Sequence, residues 1–504
     1  MNLLRDRWPN DAAFRLVAIA AAVGSAAIDL PGLAIAHGGG AFFVPFLLVA
    51  WLVARPLLAF EFGLGLCYQG TLPEVLRKLA KRWEWLGWWA VCAGALIALC
   101  QAALVVWLAL YAYDAALALA AGQPLPWGPT VDAAQAYLQQ ALTTGAVDDA
   151  GAAASSVRPI GGALLVLALL WLGMHALVGA GVRRIAAAVL VILAVSAVAL
   201  VAATIVVARM PGAIDGVARV LSPEWMALGA VDTWVAAGGL VLRAAALGTG
   251  VHVALASFLN RNADGTGGAS LVLYAALAAT IAVALILAAA FGAQAAAVGT
   301  PIEALPTRGV EGVFITAAAA FAGASSWVAQ CGALALFVGL AGCALAALAA
   351  GVAACVAALA DRSDVVWRHA SARIAIAGFL AGVPFATNHG WEARDALEAV
   401  VFAGGPALIA AASALVIARV VGIAGLQRHL GAYSVTPPGR WWRAAVSAVA
   451  PIVLVALALA TLIGLVRSPA QPPWAIVAFG LAPCVVAALF AVTVAIAGPR
   501  RTSG

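Results

Sequence analysis

Charge is scarce in this sequence. Asp, Glu, Lys and Arg supply 10% of the 504 residues, against 65% hydrophobic residues and a mean hydropathy of +1.06. A soluble chain of this length needs a charged exterior, so a water-soluble globular class is excluded and the bilayer is the solvent left. Polar linkers are missing as well. One domain over residues 1–504 is therefore expected, rather than the roughly three that length alone suggests. The seven cysteines lie in or beside apolar runs and never as CxxC, which argues against a disulfide or zinc framework. The six histidines form no i, i+4 pair to hold zinc or haem. No nucleophile–base pair recurs on the polar loops, so nothing points to an enzyme. Lysine occurs only at Lys78 and Lys81, every other cation being arginine.

What is present is a series of helix-length apolar runs. A span needs roughly 20 apolar residues. On that measure about twelve are expected, at 12–36, 40–67, 86–118, 159–180, 184–208, 233–259, 268–297, 329–360, 372–388, 396–420, 443–466 and 474–498. The first run has no small-residue cleavage site after it and reads as a span, not a signal peptide. Arg5, Arg7, Arg77, Lys78, Lys81, Arg82, Arg183, Arg184, Arg261, Arg362, Arg368, Arg373, Arg428, Arg440, Arg443, Arg500 and Arg501 all fall on one side of this topology. Asp132, Asp148, Asp149, Asp215, Glu224, Glu303 and Glu311 fall on the other. The positive-inside bias then makes both termini cytoplasmic in a bacterial inner membrane. The net charge of +6 is thus topology, and no nucleic-acid partner is expected. Trp83, Trp85, Trp88, Trp89, Trp441 and Trp442 stand at span starts, where indole rings anchor at the interface. Residues 119–158 read as an exposed polar excursion, and Gly312–Thr316 as an apolar segment that re-enters as a lid.

Two spans are interrupted at matching places in two halves of the chain. The first carries Gly24-Ser25 and then Pro31; the sixth carries Ala246-Leu247-Gly248-Thr249-Gly250. Gly and Pro weaken a helix where they sit. Paired interruptions of this kind point to a substrate site near the midplane, although close helix packing is the plainer use of the same glycines.

These residues also carry a family likeness. Arg5-Asp6-Arg7-Trp8, the broken first span, His37-Gly38-Gly39-Gly40-Ala41-Phe42, Arg55-Pro56-Leu57 and Glu61 follow in order. Met210 to Phe258 then runs through Trp234, Leu247-Gly248-Thr249-Gly250 and Ala256-Ser257-Phe258. The sequence resembles the neurotransmitter:sodium symporter family. The resemblance implies an all-α membrane fold of about 12 helices: two inverted five-helix repeats, about 10–210 and 230–420, with broken first and sixth helices, and peripheral helices at about 440–498. It implies alternating-access transport of an amino acid or small amine, with homo-oligomers possible. It places Arg5, Trp8 and Asp361 at a cytoplasmic gate, and Ala22, Gly24, Ser25, Gln101, Arg243, Ala246, Gly248 and Thr249 around substrate.

The sequence departs from that family where side-chain oxygens are needed for sodium. Ala26, Ala244 and the hydroxyl-free stretch Gly339–Leu348 stand where the family has Asn, Thr and a Ser/Thr pair; the seventh span offers Thr280 and Gln294. Classical sodium coupling is therefore not expected, no cofactor or metal is implied, and a proton is the candidate replacement. Intramembrane charges cost about 2.5–3.5 kcal/mol by insertion scales and need a cavity and a partner. Asp29 and Arg243 are expected to form a replacement outer gate with Asp395 nearby. Glu61 is expected to hold the broken backbone; Arg55 and His252 are further buried polar groups, His252 a candidate proton relay. A facilitator or a non-transporting sensor is the alternative to an altered symporter.

Overall fold

The computed structural model describes residues 6–143, 160–323, 326–363, 365–467 and 472–497. Among these residues no strand forms, and ten helices are long and apolar enough to cross a membrane. The bent pair Asp11–Ala22 and Ala26–Ala36, angled by 49°, makes an eleventh. A twelfth passage is split into pieces too short to count singly, Val231–Ala244 and Val251–Ala256. Counting that pair, the passages run in order: first, 11–36; second, Gly40–Tyr68; third, Lys81–Ala121; fourth, Gly161–Val178; fifth, Val182–Val207; sixth, 231–256. The rest are the seventh, Gly265–Val298; eighth, Trp327–Ser363; ninth, Trp367–Ala386; tenth, Gly390–Gly422; eleventh, Arg440–Arg467; and twelfth, Pro473–Ala497.

Local chemistry sets the ends of these elements. Asn10 caps the first helix by accepting from Ala13 N at 2.8 Å. Asp264 does the same for the seventh, accepting from Gly267 N at 2.8 Å. The eighth passage is built largely of Gly and Ala, which lets the third and fifth passages lie close along it. The eleventh and twelfth are the least buried, with 22% and 17% of their apolar windows enclosed, and they form the periphery of the bundle.

The loops on the acidic face are more structured than a polar excursion requires. Trp127 is fully buried and donates its indole N–H to Ala318 O at 2.8 Å, and the helix Val131–Thr143 follows it. The expectation of an exposed loop fails here because Leu125 and Trp127 have apolar surface to bury. Residues 144–159 lie outside the described residues. The apolar helix Gly309–Gly323 is tucked into the bundle, with Phe314 against Tyr111 at 4.8 Å and Phe337 at 6.2 Å. Arg219 ties this face together, reaching Glu224 at 2.9 Å and bonding Glu303. The Gly38–Gly40 run lies flush on the same region: Gly40 N donates to Ser222 O at 3.0 Å, and Glu224 N donates to Gly38 O at 3.0 Å. A Cβ at Gly40 would stand 2.1 Å from Leu221 O, so only glycine fits.

Two outcomes follow. Gly40→Val forces two backbones apart and lowers the melting temperature, by the equivalent of about 1–3 kcal/mol. The hydrogen bond from Arg219 holds the Glu303 carboxyl below the ordinary glutamate range. A depressed folded-state pKa contributes stability above the unfolded value that is lost as pH falls through the folded one. Glu303→Gln therefore melts slightly below wild type at neutral pH, and the difference vanishes in acid; a difference that grows in acid contradicts the assignment.

Candidate functional site

The two interruptions face one cavity. In the first passage the chain leaves the helix at Val23 and turns at Gly24, whose N–H donates to Ala22 O at 3.1 Å. In the sixth, Ala246, Gly248 and Gly250 take φ of +46°, +74° and +68°, which unwinds a helix built from L-residues. Unwound backbone inside a bilayer needs partners from the protein. Three side chains supply them. The Glu61 carboxylate accepts from Gly248 N at 2.9 Å, Thr249 Oγ donates to Ala246 O at 2.8 Å, and His252 Nε2 donates to Ala245 O at 2.9 Å. Because a carbonyl only accepts, the His252 proton sits on Nε2; Nδ1 is buried with no partner among the described residues.

The cavity holds about 580 Å³ of empty space, part of it open. Ala22, Gly24, Ser25, Gln101, Arg243, Ala246 and Thr249 line it, with Gly94 and Ala98 of the third passage, Ala347 and Gly351 of the eighth, and Phe402 of the tenth. Gly248 does not. Its N–H is turned to Glu61, and its Cα is packed so closely that a Cβ would meet Pro406 O at 2.0 Å. Expecting it beside substrate is corrected: its left-handed backbone points it into the wall. Gln101 is 9% exposed and its Oε1 is buried without a partner among the described residues, an acceptor on the cavity wall.

Above this cavity, toward the acidic face, ionisable groups form a partition. Arg243 Nη1 lies 2.5 Å from Asp29 and 3.4 Å from Glu398. Arg394, 3% exposed along its side chain, bonds Glu398 at 2.6 Å and Asp395 at 3.0 Å. The Arg243 guanidinium also sits over the Phe402 ring at 5.4 Å. Arg243 and Phe402 line both the inner cavity and a second, wider one holding Asp395 and Glu398, so they are the wall between the two. Asp395 does not reach Arg243; Glu398, one turn further along, does. Sequence reading passed over Glu398 and Phe402, although the Arg394–Glu398 i, i+4 spacing was a usable signal.

At the arginine-rich end, Trp8 donates its indole N–H to Leu255 O at 2.8 Å and packs on Phe14 and Phe258 at 6.3 and 6.4 Å. Asp361 accepts from Thr71 N and Oγ at 3.0 and 2.9 Å. Arg5 lies outside the described residues. Arg55 is far from Glu61 in bonding terms: its Nε donates to Ser270 Oγ at 3.1 Å.

The residues fit a hard cation poorly. Ser25 is the one hydroxyl of residues 11–36, and the eighth passage has no Ser or Thr before Ser363. The Ala245 and Ala246 carbonyls at the sixth break already accept from His252 and Thr249. Among the described residues no cluster of His, Cys, Asp and Glu is arranged to hold a metal ion.

A many-helix membrane bundle whose paired broken passages enclose a small cavity, closed toward one face by ion pairs, defines the class of secondary transporters. Residues 5–158 and 138–498 match the Sodium:neurotransmitter symporter family, and the chain belongs to it. It is 24% identical over 461 residues to an uncharacterized sodium-dependent transporter of Methanocaldococcus jannaschii, covering 90% of this chain and 89% of that protein. It is 24% identical over 266 residues to the sodium-dependent neutral amino acid transporter B(0)AT1 of Rattus norvegicus, covering 50% of this chain and 41% of that one. An uncharacterized sodium-dependent transporter of Bacillus subtilis matches at 34% over 108 residues, 21% of this chain and 24% of that protein. The chain is accordingly a transporter and not an enzyme.

Removing the shared cation tests the partition. Arg243→Met leaves Asp29 and Glu398 buried without it and is expected to cost about 3–5 kcal/mol. In a double-mutant cycle of Asp29→Asn and Arg243→Gln, read by thermal unfolding, the two changes couple by more than about 1 kcal/mol. Strict additivity contradicts a working pair.

Proposed function

We propose that this protein takes up an amino acid or a related small amine across a bacterial inner membrane by alternating access, with both termini in the cytoplasm. The cavity between the breaks is the binding site, and the Arg243–Phe402 wall is its closure toward the outside. The observation that carries this reading is the convergence of both interruptions on one enclosed space with polar groups placed around it. Gln101 Oε1, buried on the cavity wall with no partner among the described residues, is suited to an ammonium donor. The similarity to B(0)AT1, a sodium-dependent neutral amino acid transporter, supports the same substrate class. Orientation follows from the arginine-rich face.

Coupling differs from a sodium symporter in this reading. Ser25 is the one hydroxyl of the first passage, the eighth has none before Ser363, and the unwound carbonyls are engaged by His252 and Thr249. In the partition three carboxylates, Asp29, Asp395 and Glu398, meet two guanidinium groups, Arg243 and Arg394. One acid in excess suits a proton as the driving ion. A facilitator that needs no ion is the second reading, favoured by the same missing hydroxyls.

The test is ligand-induced thermal stabilisation of purified protein by amino acids and amines, in sodium and in choline chloride, followed by proteoliposome uptake with and without a proton gradient. Stabilisation indifferent to sodium and uptake that follows the proton gradient are expected. Stabilisation that requires sodium overturns the coupling assignment, and uptake equal with and without the gradient selects the facilitator. Gln101→Leu removes the unpartnered acceptor and weakens the stabilising ligand by roughly tenfold or more, since a hydrogen bond to a charged group contributes about 1.5–3 kcal/mol.

A further inference from the structure

Arg55 lies in the middle of the second passage, and that passage is apolar on both sides of it. An arginine there needs a partner. Its Nε is satisfied by Ser270 Oγ, but among the described residues neither terminal nitrogen has an acceptor and no carboxylate forms an ion pair with it. Arg55 instead lines a cleft of about 590 Å³ of empty space on the bundle's flank, separate from the cavity between the breaks. Trp51, Trp441 and Trp442 wall this cleft, and the segment Thr436–Gly439 closes its floor.

The cleft is held in shape by its own hydrogen bonds. Trp442 donates its indole N–H to Pro56 O at 3.1 Å, Thr266 Oγ donates to Thr436 O at 2.5 Å, and Thr266 N donates to Ser434 Oγ at 3.2 Å. It lies at the arginine-rich end, where the seventh passage starts at Gly265 and the eleventh at Arg440. Trp51 and Trp441 are half exposed, at 49% and 51%, and present their rings on the bundle's flank. Arg440 and Arg443, both exposed, flank the two tryptophans in sequence, and no carboxylate lines the cleft. The surface thus offers a planar, multidentate cation deep in the wall, more cations at the rim, and apolar rings between them.

We propose that this cleft binds one anionic phospholipid, its phosphate on Arg55 and its acyl chains along Trp51 and the outer face of the second and eleventh passages. A guanidinium pairs with phosphate through two parallel N–H bonds, which explains arginine rather than lysine at this depth. Basic pockets between transmembrane helices recognise anionic headgroups on the same grounds. The bound lipid joins the second passage, which holds the sixth-passage break through Glu61, to the seventh and eleventh.

Native mass spectrometry of the detergent-purified protein is the direct test, with phosphatidylglycerol and phosphatidylcholine added in turn. Wild type is expected to retain one phosphatidylglycerol through collisional activation that strips phosphatidylcholine, and to gain melting temperature with the anionic lipid only. Arg55→Gln loses the retained lipid and that gain; Arg55→Lys keeps part of both. Equal retention of the two lipids, or unchanged retention in Arg55→Gln, overturns the proposal. So does inorganic phosphate that reproduces the whole melting-temperature gain, because the site is then for a free anion. Should Arg55→Gln fail to fold, brominated lipids give an independent reading. Brominated phosphatidylglycerol then quenches wild-type tryptophan fluorescence more than brominated phosphatidylcholine, and Trp441→Phe removes part of that excess. Equal quenching by the two lipids rejects the site.

Discussion

Backbone at membrane depth must find its hydrogen-bond partners within the protein, and the rest of this structure is arranged around that constraint. A continuous helix meets it internally; the sixth passage does not. Where it unwinds, Glu61 takes the Gly248 N–H, Thr249 takes the Ala246 carbonyl and His252 takes the Ala245 carbonyl. Glu61 belongs to the second passage, so the break is fixed by an element outside it. The close approach of Gly65 to Val253 O, where a Cβ would stand only 2.4 Å away, keeps those two passages in register. Substituting a polar clamp in this group disturbs the shape of the cavity before it touches anything bound there.

The same clamps bear on ion selectivity. A carbonyl engaged by an imidazole or a hydroxyl is a poorer ligand for sodium than a free one, and a Gly/Ala-rich eighth passage adds no hydroxyl. The Gly and Ala residues that let the eighth passage pack tightly on the third and fifth carry no side-chain oxygen. Charge is gathered at the wall between the cavity and the wider vestibule beside it. There Arg243 holds two carboxylates and an aromatic ring, and Arg394, almost wholly enclosed, holds the second of those carboxylates from the other side.

Much of this architecture was legible in the sequence. Apolar runs gave twelve passages because helix length in a bilayer is set by its thickness, and the Gly-rich interruptions stood out against that background. The pairing of Asp29 with Arg243 was also legible, because each stands about one turn from a break and intramembrane charges need partners. Gly248 was misplaced because composition marks where a helix opens but not which way each residue turns; that depends on φ of +74°. Asp395 was named and Glu398 passed over for a similar reason. Two acids three residues apart on one helix differ by a rotation of some 60°, and only packing decides which faces the sixth passage. The loop around Trp127 was read as exposed from its Gly, Pro and Asp content, which outweighed the single large ring that anchors it.

The arrangement of charges also constrains how the wall opens. Separating Arg243 from Asp29 and Glu398 in place would leave three ionised groups without partners in a poorly hydrated space, which costs more than separating them at a wet surface. The vestibule on the far side of Arg243 already reaches Asp395 and Glu398. Movement of the tenth passage away from the sixth would thus bring water to the carboxylates as the contact lengthens, and Arg394 would travel with Glu398 because both lie on that one helix. The contact left to break in such a movement would be Arg243–Glu398, the longest of the cluster at 3.4 Å, together with the stacking on Phe402. Asp29 and Arg243, at 2.5 Å, would stay together in such a movement and would keep the first and sixth passages as one body around the cavity they share.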